Sequence, residues 1–178
     1  MKKILFLIKI LIFINLSNLS IANTTIVYVD MDKILSSSKP GSFLINQLNE
    51  LDKKNIDNFS KIEKNLKDKE TKLISQKKIL ADVDFQNKIN ELRKEVQLYN
   101  QNRQKAIKEA NKKKIENTNN LLRQINPILT KFSDENKISL ILKKKDIIIG
   151  KSSLDITDQI IELVNKDIKE TKIKWQIH

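Results

Sequence analysis

The sequence predicts an α+β fold, mainly α, in which a long antiparallel helical hairpin, a coiled-coil arm, projects from a small β-rich body that joins several copies. Three observations support the predicted helices and strands of the single chain. Gly and Pro number only two each among 178 residues, too few for a loop-rich or all-β fold. The charged stretch 42–136 carries apolar residues at helical intervals. Short runs of Ile, Val and Leu on both sides of it are typical of strands.

The first residues have the layout of a secretory signal peptide. Lys2 and Lys3 precede an apolar run, and small residues lead up to Ala22. We predict cleavage after Ala22. The alternative is a retained membrane anchor, which we disfavour because a spanning helix needs about 20 apolar residues. The chain has no cysteine, which excludes a lipoprotein, disulfides and thiolate metal sites.

Composition also argues against an enzyme. The only histidine is His178, and two glycines cannot build a phosphate-binding loop. The many carboxylates are spaced as on a solvated helix surface. We therefore expect no catalytic residues, no metal and no cofactor. The formal net charge of +12 falls to +9 without the three lysines of the signal peptide. We discount it as a sign of function, because Ile, Lys and Asn are all abundant.

The mature chain begins with a predicted strand at residues 24–29, a β-branched run. Asp30 or Asp32 is expected to cap a short helical turn after it. Pro40 and Gly41 are expected to break that turn before the arm.

The arm is predicted as two helices with a sharp reversal near Asp82 and Asp84, where Asp84 is a candidate helix cap. The alternative is one continuous coiled-coil dimer without a turn. Apolar residues in the second half recur every eleven residues, which follows a nearly straight helix. Many contact positions are polar, so we expect a loosely packed hairpin. Pro127 predicts a kink or local break.

The C-terminal part is predicted as two antiparallel strands, "KISLILKK" and "KDIIIGK", joined by a turn at Lys143, Lys144 and Lys145. A phosphate site at these lysines is the alternative. A helix with Asp155 or Thr157 as its cap follows. The tail, residues 166–178, contains the only tryptophan, Trp175, and packs back, adds a strand or remains loose.

The predicted body is small, so several copies are expected to associate and cover its strands. The predicted organisation is a signal peptide (1–22), a discontinuous oligomerisation body (23–41 and 137–165), an arm (42–136) and a tail (166–178). The residues expected to build the body are Ile26, Val27, Val29, Leu140, Leu142, Ile147, Ile149, Ile156 and Ile160.

This order of parts resembles the Skp/OmpH family of periplasmic chaperones. The resemblance covers about residues 24–164 and is carried by "IVYVDMDKIL", the charged hairpin, "ISLILKKKDIIIG" and "SLDITDQIIELVN". The chain departs from the family pattern after Asn165, where its tail runs on, and before Ile138, where it has no glycine.

The resemblance implies a periplasmic homotrimer with three arms around a cavity. It also implies an ATP-independent holding function for unfolded outer-membrane β-barrel proteins. Contact with lipopolysaccharide or a membrane surface is a weaker expectation. The basic arm residues expected to contact client or lipopolysaccharide are Arg103, Lys105, Lys112, Lys113 and Lys114. The alternative for these lysines and the arginine is a solvated helix face.

Two other functions remain open from sequence. A structural scaffold of the cell envelope would use a stiff, well-packed hairpin. A nucleic-acid-binding protein is less favoured, because the chain has only three arginines and base readout relies heavily on arginine. We expect no nucleic acid among the partners.

Overall fold

The computed structural model of the protein describes residues 24–170. The predicted signal peptide and Trp175 lie outside these residues. The elements along the chain are β1 (Thr25–Val29), α1 (Met31–Ser37), α2 (Lys39–Ser75), α3 (Asp82–Glu135), β2 (Ile138–Lys143) and α4 (Thr157–Asp167). Helices α2 and α3 form the hairpin arm, and the remaining elements gather at its base. The mainly helical fold with a small β part is thus confirmed.

The predicted antiparallel strand pair is wrong. Strand β2 pairs in parallel with β1, with Ile26 opposite Leu140 and Val29 opposite Lys143. The arm acts as the long crossover that parallel strands need. It returns the chain to the end of β1 at which that strand begins. After β2 the chain makes a short 3₁₀ turn at Lys144–Asp146, and Ile147 to Gly150 form no strand. Within the described chain this second Ile run has no strand to pair with.

The junction between body and arm is tighter than predicted. Asp30 caps α1, accepting a hydrogen bond from Lys33 N (2.9 Å), as expected for one of the two candidates. Ser38 alone separates α1 from α2, and Pro40 lies in the first turn of α2, where its missing N–H would lack a partner anyway. Gly41 is not a turn residue. A Cβ there would lie 2.0 Å from Leu35 O, so only glycine allows the two helices this approach.

The chain reverses between Ser75 and Asp82, which confirms the predicted hairpin over a continuous helix. The prediction that Asp84 caps α3 is wrong. Ala81 occupies the N-cap position without a side-chain hydrogen bond, and Asp82 and Asp84 lie in the first turn. Carboxylates there interact favourably with the positive end of the helix dipole.

Helix α3 continues through Pro127 to Glu135 without the predicted break. Packing explains this continuity, because Ile125 is fully buried and Leu121 nearly so, two and six residues before the proline. The turn into β2 then uses Lys137 with φ 54°, the left-handed region that glycine favours. The missing glycine before Ile138 is therefore replaced by a lysine in a strained conformation.

The core lies where the arm base meets β1, α1 and α4, so the arm and body share one packed unit. Apolar residues from all these elements meet there, and several are completely buried. The buried members are Val27, Val29, Ile34, Leu44, Leu48, Leu121, Ile125, Ile156, Ile160, Val164 and Ile168.

Candidate functional site

The distal half of the arm is held by a few specific contacts. The rings of Phe59 and Tyr99 meet edge to face, with centroids 5.9 Å apart and planes at 71°. The Tyr99 hydroxyl donates to Glu63 Oε2 (3.3 Å), and Lys69 Nζ pairs with Glu95 Oε2 (2.6 Å). Partial burial, together with the Glu63 carboxylate, raises the pKa of Tyr99. These contacts fix the register of α2 against α3.

Nearer the base, the contact between the two helices is much less apolar. The half-buried residues on its inner side include Asn55 on α2 and Ala106, Ala110 and Asn117 on α3. Alanine and asparagine leave space and offer little apolar area. The hairpin therefore buries less apolar side-chain surface between its base and its distal half than at either end.

Two adjoining grooves open on one side of the arm. The distal groove, about 680 Å³, includes Ile74 and Val96, and the proximal groove, about 340 Å³, includes Ile56 and Ile107. Glu63 and Tyr99 line both grooves. We call the surface formed by the four aliphatic residues Ile56, Ile74, Val96 and Ile107 the arm face.

The arm face follows from residue spacing. Ile56 and Ile74 are eighteen residues apart, five full helical turns, and Val96 and Ile107 are eleven apart, about three turns. Each pair therefore lies on one side of its helix. All four side chains are exposed to solvent. The aligned exposed apolar residues on these otherwise charged helices make the arm face the candidate interaction site.

Charged side chains of both signs border the arm face. Glu63 and Lys67 come from α2, and Arg93 and Arg103 come from α3. Such a surface offers apolar contact flanked by groups that stay hydrated. It can hold an extended apolar segment weakly without requiring one sequence.

The five predicted basic residues do not share one surface. Arg103 lines the proximal groove. Lys105 and Lys112 are seven residues apart and lie on the opposite side of α3 from Arg103, by helix geometry. Lys113 is half-buried and Lys114 exposed. Lys112 also approaches Glu116 at 3.8 Å, a weak surface pair.

Sequence reasoning missed the arm face. The eleven-residue recurrence of apolar residues on α3 does not separate buried from exposed positions, and Val96 and Ile107, eleven residues apart, are both exposed. The signal that finds them is the recurrence of isolated isoleucines at whole numbers of turns on both helices. Ile56 and Ile74 show the same pattern on α2.

The predicted oligomerisation residues divide into two groups. Val27, Val29, Ile156 and Ile160 are buried in the chain's own core, so their surface is already used within one copy. Ile147 is half-buried. The exposed members are Ile26, Leu140, Leu142 and Ile149.

The most exposed apolar residues of the body are Ile148 (99%) and Ile149 (91%). Ile148 was not among the predicted residues. A second feature of the body is a groove of about 640 Å³ between α1, α3 and β2, with Leu35, Leu129 and Leu142 in its lining. The body therefore presents both projecting apolar side chains and an apolar recess.

The lysine run after β2 takes part in the body's own structure. Lys144 Nζ pairs with Asp155 Oδ2 (3.0 Å), and Asp155 accepts hydrogen bonds from the Thr157 N–H (3.0 Å) and hydroxyl. The hydrogen bond with Asp155 raises the pKa of Lys144. Partial burial acts to raise the pKa of Asp155, but the hydrogen bonds from Thr157 and the neighbouring Lys144 hold it below its usual value. The prediction that Asp155 or Thr157 is the cap of α4 is wrong, because Ile156 occupies the N-cap position without a side-chain capping hydrogen bond. Asp155 lies just before it and accepts from the N–H of Thr157, the first residue of the helix.

Within residues 24–170, no helix has a stretch long and apolar enough to cross a bilayer. No group of three acidic or histidine side chains suited to a metal ion occurs in the same range.

Comparison with known proteins identifies the family. The family model for outer membrane protein (OmpH-like) matches residues 25–164, from the first residue of β1 to a buried valine of α4. The chain belongs to the OmpH-like family. A search of the curated proteins gave no match.

A solved structure has the same OmpH-like fold. It comes from Caulobacter crescentus CB15 and is described as a candidate outer membrane chaperone (OmpH-like). The two chains superpose with a TM-score of 0.79 at 14% sequence identity, over 87% of this chain and 92% of the other. The two proteins thus share a fold although few of their aligned residues are identical.

Proposed function

We propose that the protein is an ATP-independent holding chaperone of the periplasm, which binds unfolded outer-membrane β-barrel proteins between its arms and prevents their aggregation. The arm face is the observation that carries this proposal, and membership of the OmpH-like family supports it. The predicted signal peptide supports a location outside the inner membrane.

The arm face suits reversible holding. Its four aliphatic side chains are spread along the arm and are only partly exposed, so each contact to a client is weak. An unfolded β-barrel protein offers many short apolar segments, so several contacts act together. Single contacts break independently, which allows release without an energy source.

Several copies are needed to enclose a client. The outer edge of β2 has no partner within the described chain, and Ile148 and Ile149 project from the body. Exposed sheet edges and apolar projections are normally covered by a partner. Association of three bodies would cover them and place three arms around one cavity.

The basic residues speed the first encounter between the arm and a client rather than forming one binding surface. The excess of lysine along the arm attracts acidic clients and the anionic groups of lipopolysaccharide or a membrane surface. Because the five candidate residues lie on different sides of α3, we assign direct client contact to the arm face and, among the five, to Arg103 in its proximal groove.

The test is an aggregation assay. A urea-unfolded outer-membrane β-barrel protein is diluted into buffer with the exported chain and without ATP, and light scattering is followed. Suppression that saturates near three chains per client supports the proposal. Aggregation equal to that with an unrelated folded protein refutes it and leaves the envelope scaffold as the better hypothesis.

A further inference from the structure

The two grooves of the arm form one continuous surface. Glu63 and Tyr99 line both of them, so each groove begins where the other ends. On α2, Ile56 precedes Glu63 by seven residues and Ile74 follows it by eleven, about two and three turns, so these residues share one side of the helix. A ligand can therefore run from one groove into the other. We call the two grooves together the combined groove.

The combined groove is as long as one membrane-spanning β-strand. Its lining runs on α2 from Asp52 to Ile74 and on α3 from Phe85 to Asn111. At 1.5 Å per residue these helical stretches span about 33 and 39 Å along the arm. An extended chain advances about 3.3 Å per residue, so the combined groove accommodates about ten to twelve residues. A strand that crosses a bilayer in a β-barrel has about 9–11 residues.

The apolar lining fits the side-chain pattern of such a strand. In the distal groove, the apolar residues that are buried or half-buried are Leu66, Leu73, Phe85, Ile89 and Leu92. Successive side chains of an extended segment point to opposite sides, so every second residue would face this lining and the others would face water. Membrane-spanning strands of β-barrels alternate apolar and polar residues in this way.

The combined groove is electrically balanced although the chain is basic. Its charged lining residues are three carboxylates and three basic side chains: Asp52, Glu63, Glu70, Lys67, Arg93 and Arg103. The positive excess of the exported chain therefore lies outside the groove. A balanced lining complements a segment with little net charge and gives no preference for an acidic one.

We propose that the combined groove holds a single extended segment of about ten to twelve residues, amphipathic and nearly uncharged, such as one membrane-spanning strand of a β-barrel client. The apolar side chains of the segment lie against the groove, and its polar side chains stay in water. This inference rests on the proposed holding function and specifies which unit of a client one arm takes. Because β-barrel strands share length and alternation rather than sequence, one such groove can serve many clients.

Labelled peptides test the length, pattern and charge of the segment separately. The reference peptide has eleven residues in which leucine alternates with serine, and fluorescence anisotropy is followed on titration with the exported chain. One peptide is expected to bind per chain. A six-residue peptide of the same pattern covers about half of the groove and should bind at least about tenfold more weakly. A peptide of the same composition with leucines at helical spacing should also bind more weakly, and glutamate in place of serine should not tighten binding.

Substitutions at the two ends show whether one peptide spans both grooves. Ile56→Ser in the proximal groove and Ile74→Ser in the distal groove should each weaken the eleven-residue peptide about tenfold, because each removes a largely exposed aliphatic side chain. Ile115→Ser is the matched control. Ile115 is similarly exposed but lies outside both grooves, so its loss should change the dissociation constant less than about twofold. Circular dichroism checks that each variant folds.

The proposal is overturned if the alternating peptide does not bind, if two copies of it bind per chain, or if only one of the two end substitutions weakens it. It is also overturned if the six-residue, helical or acidic peptide binds more tightly than expected above. The aggregation assay on the same protein separates this inference from the holding function. Suppressed aggregation together with any of these peptide results removes the inference and leaves the holding function, whereas unsuppressed aggregation refutes the holding function itself.

Discussion

The arm face can be tested by removing its apolar surface without touching the helix contact. We consider the double variant Ile56→Ser/Ile107→Ser, whose side chains are 67% and 44% exposed. The matched control is Leu98→Ser/Ile115→Ser. These residues are 57% and 61% exposed on the outer side of α3, away from both grooves. Both variants introduce serine into helices at a similar cost in helix propensity.

The expected loss follows from the exposed fractions. Complete burial of an aliphatic side chain contributes about 2 kcal/mol, and only the exposed fraction remains available to a client. For Ile56 and Ile107 together this is about 2 kcal/mol, which corresponds to about 30-fold in the dissociation constant. The control removes a similar exposed area elsewhere and is expected to change affinity less than about threefold.

The assay is titration of a labelled, urea-unfolded outer-membrane β-barrel protein with each variant, read by fluorescence anisotropy at concentrations where light scattering is absent. Thermal unfolding by circular dichroism shows whether the variants remain equally stable. If Ile56→Ser/Ile107→Ser binds the client as tightly as the unchanged chain, or if the control loses as much affinity, the arm face is not the binding surface.

Three further predictions address the body and its junction with the arm. Ile148→Asp/Ile149→Asp is expected to reduce the mass measured by light scattering after size exclusion to that of a single chain, with helicity unchanged; an unchanged mass would place the copy interface elsewhere. Lys137→Gly is expected to raise the free energy of unfolding in urea by about 0.5–1 kcal/mol, because glycine relieves the left-handed strain at φ 54° at some entropic cost, and no gain would contradict that strain. The pKa of Asp155 is lowered in the folded chain, so its contribution to stability is present above its unfolded pKa of about 3.9 and is lost as pH falls through the folded pKa. The difference in melting temperature between the unchanged chain and Asp155→Asn should therefore narrow below about pH 4. A difference that stays constant with pH would refute this.

Elements whose signals are local could be predicted from the sequence. The long charged stretch with helical spacing, the reversal near Asp82 and the strand before Asp30 depend on periodicity and capping within a few residues. These signals do not need a distant partner. They were enough for the hairpin, for the small β part and for the resemblance to the OmpH-like family.

Features that depend on distant partners were decided by the tertiary structure. The runs "ISLIL" and "DIIIG" look alike in sequence, but only the first finds a strand to pair with, because the hairpin returns it beside β1 in parallel. The packing of Ile125 and Leu121 keeps α3 intact at Pro127. Burial of Val27, Val29, Ile156 and Ile160 against the arm base removes them from any surface between copies.

The candidate site shows the same division. An isoleucine on a charged helix can belong to the helix contact or to an exposed face, and its spacing is the same in both cases. Only the rotation of α2 against α3, fixed by contacts such as Phe59 with Tyr99, leaves Ile56, Ile74, Val96 and Ile107 exposed beside two grooves. The sequence determined which residues are apolar and helical, and the packing of the two helices decided which of them remain available to a partner.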